Sequence, residues 1–285
     1  MESLDRVTLR TQGGQTAEVS VYAGHVLSWR NADGQDYLFM SKNAVFQPPK
    51  AIRGGVPICF PQFSNFGRLT QQHGFVRNKQ WKLVEKSDWA VTLSLDYDGQ
   101  EFPDYPHPFT LTTRVELCDD VLEQRLAVTN TGKGPGPMPF TAALHTYYTV
   151  SDISNVEVEG LQGLQYLDNA DGRLQKAEAE ARVVFPGEVD RIYIDAPDTV
   201  KIHDKGAPGG GLTYEVRKRG FHDAILWNPA AVKAAAMSDL GDPEWKRMVC
   251  LEPGLVVTKP VELDPGATWE GAQSLRVLRG GAAAL

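Results

Sequence analysis

Four short segments of this chain carry side chains able to move protons or hold an anion. Arg53-Gly54-Gly55-Val56-Pro57-Ile58-Cys59-Phe60-Pro61 sets a guanidinium directly before two glycines. The glycines allow close backbone approach to a ligand and the prolines stiffen the rest of the segment, although on its own it reads as a tight turn with a surface arginine. Gln71-Gln72-His73-Gly74-Phe75-Val76-Arg77-Asn78 gathers an amide, an imidazole and a guanidinium. If Phe75 packs inward on a strand, alternation puts His73 and Arg77 on that same side, either lining a polar pocket or solvated on an edge. Ala143-Leu144-His145-Thr146-Tyr147-Tyr148 sets a histidine inside an apolar run, where a lone histidine is ordinarily a satisfied core residue. Val249-Cys250-Leu251-Glu252-Pro253-Gly254 presents a carboxylate at the end of an apolar strand, just before a Pro-Gly turn. Burying it is unfavourable unless something pairs or uses it, and a solvated loop glutamate is the simpler alternative. Glu188-Val189-Asp190-Arg191-Ile192-Tyr193 adds carboxylates that could be the polar face of a strand.

The elements that must position these groups are strands. Val91, Leu93, Leu95 and Tyr97 alternate with polar neighbours before an Asp98-Gly99 turn. Phe109, Leu111, Thr113, Val115 and Leu117 alternate likewise, break at Asp119-Asp120, and continue in Leu122, Leu126 and Val128, which predicts an antiparallel hairpin. Further strands are expected at 17–22, 37–40, 156–158, 182–185, 191–194, 199–202 and 249–251. One short helix is expected after Asn228 as N-cap, with Pro229 first, running to about Leu240 and stopping at Gly241. The stretch from Gly132 to Pro139 reads as a rigid loop between strands. Many short strands, frequent Gly and Pro turns and few short helices predict an all-β chain, a large antiparallel β-sandwich forming one domain over 1–285.

The apolar share of 42% and charged share of 23% fit a globular protein with a substantial core. A net charge of −7 argues against a nucleic-acid partner, which wants a basic face. Cys59, Cys118 and Cys250 are odd in number and far apart, which fits a reducing compartment better than a disulfide framework or a zinc site. The opening Met-Glu-Ser-Leu-Asp-Arg has no basic stretch leading into an apolar one, and no apolar run is long enough for a membrane helix. The expected address is the cytosol, with an organelle kept open if a presequence has been removed.

Six blocks in order give these signals a common meaning. They are Arg-Gly-Gly-Val-Pro at 53–57, Gln-His-Gly-Phe-x-Arg at 72–77, Leu-His-Thr-Tyr-Tyr at 144–148, Val-Asp-Arg-Ile-Tyr at 189–193, Trp227-Asn228-Pro229 and Cys-Leu-Glu-Pro-Gly at 250–254. In them, over nearly its whole length, the chain resembles the hexose-6-phosphate mutarotases (glucose-6-phosphate 1-epimerases), a branch of the aldose 1-epimerase superfamily. The resemblance implies a galactose mutarotase-like sandwich with an open groove on one sheet. It implies His145 as general acid, Glu252 as general base and Asp190 as a holder of sugar hydroxyls. Arg53, Gln72 and Arg77 would hold the substrate, the arginines at or near the phosphate, and His73 would be a second pocket histidine.

Anomers interchange by ring opening: a base takes the C1 hydroxyl proton while an acid protonates the ring oxygen, and closure reverses the roles. The chemistry needs no cofactor or metal, in agreement with a sequence that has neither a dinucleotide fingerprint nor metal-ligand spacing. The expected partner is a small sugar phosphate, with the chain acting as a monomer. Three other readings compete. They are an epimerase for unphosphorylated sugar, a non-catalytic carbohydrate-binding domain, and a metal enzyme using His73, His145 and His203 or His222.

Overall fold

The computed structural model describes residues 5–259 and 261–279; the opening Met-Glu-Ser-Leu, part of the segment on which the expected address rests, lies outside the described residues. Among the described residues two large antiparallel sheets dominate. The nine-stranded sheet runs in the order Arg182–Val183, Val156–Glu159, Thr199–Asp204, Leu212–Arg219, Thr268–Arg279, Val121–Asn130, Phe109–Cys118, Ala90–Tyr97, Lys82–Lys86. The eight-stranded sheet runs Leu174–Ala177, Gln165–Asp168, Val189–Tyr193, Asp223–Asn228, Met248–Leu255, Ala142–Leu144, Ile58–Cys59, with Tyr147–Thr149 also paired to Met248–Leu255.

Alternation sorts each strand into two faces. Phe109, Leu111, Val115 and Leu117 of one strand and Leu122, Leu126 and Val128 of its hairpin partner enter the main core, as the pattern predicts. Val249, Leu251 and Leu255 of the other sheet enter the same core, so the sheets pack face to face around it. Met248 and Cys250, one residue out of phase, belong to a separate apolar cluster on the other face. Glu252 shares their phase.

The core also carries a polar thread. Gln124 donates to Thr113 at 3.2 Å, Gln273 to Gln124 at 3.3 Å, and Thr146 to Gln273 at 2.9 Å. All four residues are buried, and the thread ties the middle of the nine-stranded sheet to the residue beside His145.

Some expectations are corrected. Residues 37–40 form only isolated bridges, Leu38 to Tyr148 and Met40 to Gly54. The helix is Ala230–Ala235, and Asn228 accepts from the Ala230 amide at 2.9 Å; beyond Ala235 the chain continues as single turns towards Leu240. The carboxylate segment does not end in a turn: strand Met248–Leu255 runs straight through Pro253 and Gly254. Proline is tolerated there because the facing strand is interrupted beside it, and Pro253 has no N–H to donate.

Candidate active site

That interruption creates the site. Ala143 stands opposite Gly254, and beyond the gap Tyr147 stands opposite Cys250. The register is the same on both sides, so His145 lies across from Glu252. Within the gap the His145 amide donates to the Pro57 carbonyl at 2.9 Å and the Thr146 amide turns back to Leu144 at 2.8 Å. Thr146 is held towards the core by Gln273, and its neighbour His145 faces the other way, into a cleft of about 480 Å³.

Nδ1 of His145 stands 3.1 Å from Oε1 of Glu252. The contact is off the hydrogen-bonding line, and neither Nδ1 nor Oε2 of Glu252 has a hydrogen-bond partner among the described residues. Glu252 is 1% exposed and His145 7%. Burial, with Asp190 adding to it, holds the Glu252 carboxyl well above the ordinary carboxylate range. Burial also holds the imidazole of His145 well below its ordinary value, helped by His73, Arg53 and Arg77. Tyr147 stacks on the imidazole and Trp227 meets it edge-on at 5.8 Å.

The other expected residues surround this pair. His73 lies 5.5 Å from His145 between ring centroids. Its Nδ1 accepts from the Ser64 amide at 3.2 Å, which leaves the proton of the neutral ring on Nε2. Burial and the two arginines hold it well below an ordinary histidine. The strand alternation expected for His73 and Arg77 does not exist: His73 sits in a loop at φ 65° and Val76–Asn78 is a 3-10 turn. Both residues still line the cleft, because Gly74 anchors the loop. The Phe75 amide donates to the Phe60 carbonyl at 3.1 Å, and a Cβ on Gly74 would stand 2.0 Å from that same oxygen.

Arg53 pairs with Asp239 at 3.1 Å and donates to the Tyr147 hydroxyl at 2.8 Å. The two glycines after it approach the protein's own backbone rather than a ligand. A Cβ at Gly54 would meet the Phe39 carbonyl at 2.5 Å, and one at Gly55 the Val26 carbonyl at 2.2 Å. Buried His25 donates to the Gly54 carbonyl at 2.8 Å and is held neutral by burial, which lowers its pKa to about 4. Arg77 donates to the Gln72 carbonyl at 2.9 Å, and Gln72 approaches Ser64 at 3.5 Å. Asp190, opposite Trp227 on the neighbouring strand, accepts from Asn169 at 2.7 Å and from Lys233 at 3.2 Å.

Tyr147, Asp239, Asn169 and Lys233 were not singled out by sequence. Tyr147 lies inside a block that was, but nothing local marks the other three. His203 is on the other sheet, bonded to Glu159 and Thr213, so it forms no metal set with His73 and His145. The group best placed to meet a metal is His145, Cys250 and Glu252, whose ligand atoms lie within 4.8 Å of one another. Three donors is the number a catalytic zinc takes, but the guanidinium of Arg53 acts on both His145 and Cys250 and opposes a cation there.

Chemically, a histidine and a carboxylic acid in contact, ringed by cations and polar groups, have what it takes to move a proton and to hold an anion at the rim. Residues 5–276 match the model of the family described as Aldose 1-epimerase. This chain belongs to the aldose 1-epimerase family. Within it, the chain is 42% identical over 286 residues to a Cenchrus ciliaris protein described as "Putative glucose-6-phosphate 1-epimerase", covering 95% of this chain and 84% of that one. An Escherichia coli protein of the same description is 32% identical over 83% of this chain and 78% of its own length. The crystal structure of a "putative mutarotase (YeaD)" from Salmonella typhimurium superposes with a TM-score of 0.84 at 28% identity, covering 98% of this chain and 92% of that one. The galactose mutarotase-like sandwich expected from the sequence is thus the observed fold of the family. Among the described residues no helix is long and apolar enough to cross a membrane.

Proposed function

We propose that the chain interconverts the α and β anomers of a hexose 6-phosphate, glucose 6-phosphate first, with Glu252 and His145 as the proton-transfer pair. The observation that carries this is the 3.1 Å contact between an imidazole and a carboxyl that both open into a cleft rimmed by arginines.

The reacting oxygens, the C1 hydroxyl and the ring oxygen, share one carbon. Two adjacent side chains can therefore address both from one side of the sugar; they need not flank it. Burial favours the chemistry. A carboxylate held above its ordinary range is a stronger base, and an imidazolium held below its own is a stronger acid. Glu252 takes the C1 hydroxyl proton, His145 gives its proton to the ring oxygen, and the C1–O5 bond breaks to leave the open-chain aldehyde. Rotation about C1–C2 and closure with the two roles exchanged yields the other anomer and restores both protons. The working form holds one proton beyond that of the neutral imidazole, and it must sit on His145, with Glu252 ionised, when the ring opens.

Asp190 would accept sugar hydroxyls, with Asn169 and Lys233 fixing its carboxylate. Arg53, Gln72 and Arg77 would hold the substrate, and His73 would donate from Nε2. The chain would act as a single-domain monomer, and its three free thiols fit a reducing, cytoplasmic setting.

Saturation-transfer NMR on glucose 6-phosphate tests the pair. His145→Ala and Glu252→Gln should each slow enzymatic exchange by about 10²-fold or more while circular dichroism stays that of the wild type. Wild-type exchange in both variants would remove these residues from the mechanism.

A further inference from the structure

The arginines around the cleft are not equivalent. Arg53 is already committed, since Nη2 and Nε both reach Asp239, at 3.1 and 3.2 Å, and Nη1 donates to Tyr147. A carboxylate balances its charge and the protein occupies its fork.

A second pair of guanidiniums is differently placed. A continuous line of contacts runs from Arg77 to the Gln72 carbonyl, from the Gln72 amide to Ser64, and from the adjoining Asn65 to Arg173. Arg77 and Arg173 both line the cleft, linked through that segment. Their hydrogen-bond partners are a carbonyl and an amide oxygen, not carboxylates, and Nε of Arg77 is buried with no partner among the described residues. Arg173 comes from a different element, the turn joining Gln165–Asp168 to Leu174–Ala177, and its guanidinium carbon lies 4.2 Å from the centroid of the Phe66 ring. An aromatic face supports a guanidinium while leaving its in-plane N–H groups free for a planar-edge acceptor.

We propose that Arg173 is a specificity-determining residue of this site, taking the phosphate of a hexose 6-phosphate together with Arg77. This deepens the hexose-phosphate reading and rests on it. The phosphate displaces the Asn65 amide oxygen from Arg173; a charge-assisted bond to phosphate is roughly twice as strong as a neutral one, so the exchange favours the ligand. Arg53 keeps Asp239 and Tyr147 as its partners and, lining the same cleft, meets the sugar rather than the phosphate. Phosphate binding in turn bridges the hairpin that carries Arg173 to the loop that carries His73.

The test compares kcat/KM for anomer exchange of glucose 6-phosphate and of glucose in the wild type, Arg173→Ala and Arg173→Lys. Arg173→Ala should lower the preference for the phosphorylated sugar by about tenfold to hundredfold, mainly through KM. Arg173→Lys, which keeps the charge and loses the fork, should fall between it and the wild type. If the wild type prefers glucose 6-phosphate and both variants keep that preference, or lose both sugars equally, the assignment of Arg173 is overturned while the hexose-phosphate reading stands. A wild type with no preference between the two sugars overturns the hexose-phosphate reading itself.

Discussion

The ring of Tyr147 lies flat against the imidazole of His145, 4.7 Å between centroids and 9° from parallel. The hydroxyl of the same tyrosine accepts from Arg53 at 2.8 Å, so one side chain joins the cation paired with Asp239 to the proposed acid. Tyr147→Phe keeps the stacking and leaves one Arg53 N–H without its acceptor. Losing one such charge-assisted bond corresponds to about 1.5–3 kcal/mol, or roughly ten- to hundredfold in rate. Exchange of glucose 6-phosphate should fall by that factor in Tyr147→Phe and further in Tyr147→Ala, where the imidazole loses its platform. A full rate in Tyr147→Ala would mean that the stack does not position His145.

The buried carboxyl sets a pH signature. The folded protein keeps the proton of Glu252 to a pH well above the unfolded value of about 4.3. The stability this group contributes is full below that value and is lost as pH rises towards the folded one. Glu252→Gln removes the titration. Its Tm should exceed that of the wild type by a margin that widens from about pH 5 to about pH 8. His145 has the opposite sign: an imidazole held below its ordinary value loses stability as pH falls through about 6.5. The upper half of the range therefore isolates Glu252, and a constant margin there would contradict its raised pKa.

Arg77 should act on the phosphate. In Arg77→Ala, binding of glucose 6-phosphate measured by calorimetry should weaken about tenfold or more beyond any loss for glucose. Equal losses for the two sugars would show that Arg77 holds some other part of the ligand.

Gly74 should tolerate no side chain. Its φ is 69°, and a Cβ would press on the backbone oxygen of Phe60 at 2.0 Å. Gly74→Ala should cost about 2–4 kcal/mol in a denaturant melt, from left-handed strain plus displacement of the loop. Because that loop carries His73, the variant should also lose exchange activity at temperatures where it remains folded.

Much of the architecture is legible from local pattern. The hairpin of Phe109–Cys118 and Val121–Asn130 follows from ten-residue runs of alternation, because a half-buried strand must present one face to the core. Where that rule is extended to residues 71–78 it fails: the left-handed turn at His73-Gly74 and the 3-10 turn Val76–Asn78 outweigh the alternation, and Phe75 and Val76 are buried together. Gly54 and Gly55 could serve either a ligand or a tight turn, and their φ values of 115° and 60° in fact serve close contacts with the backbone at Phe39 and Val26.

By itself the sequence determined which chemical groups this protein owns and that they ride on an antiparallel sandwich, since both follow from residue type and short-range period. Which groups meet was decided by tertiary structure. His145 and Glu252 are over a hundred positions apart, and their contact depends on a register held across a gap in the sheet beside Pro253 and on Gln273 turning Thr146 inward. Asp239 reaches Arg53 across a still longer separation. Such pairings depend on which faces are buried together, and no local window of the chain contains that information.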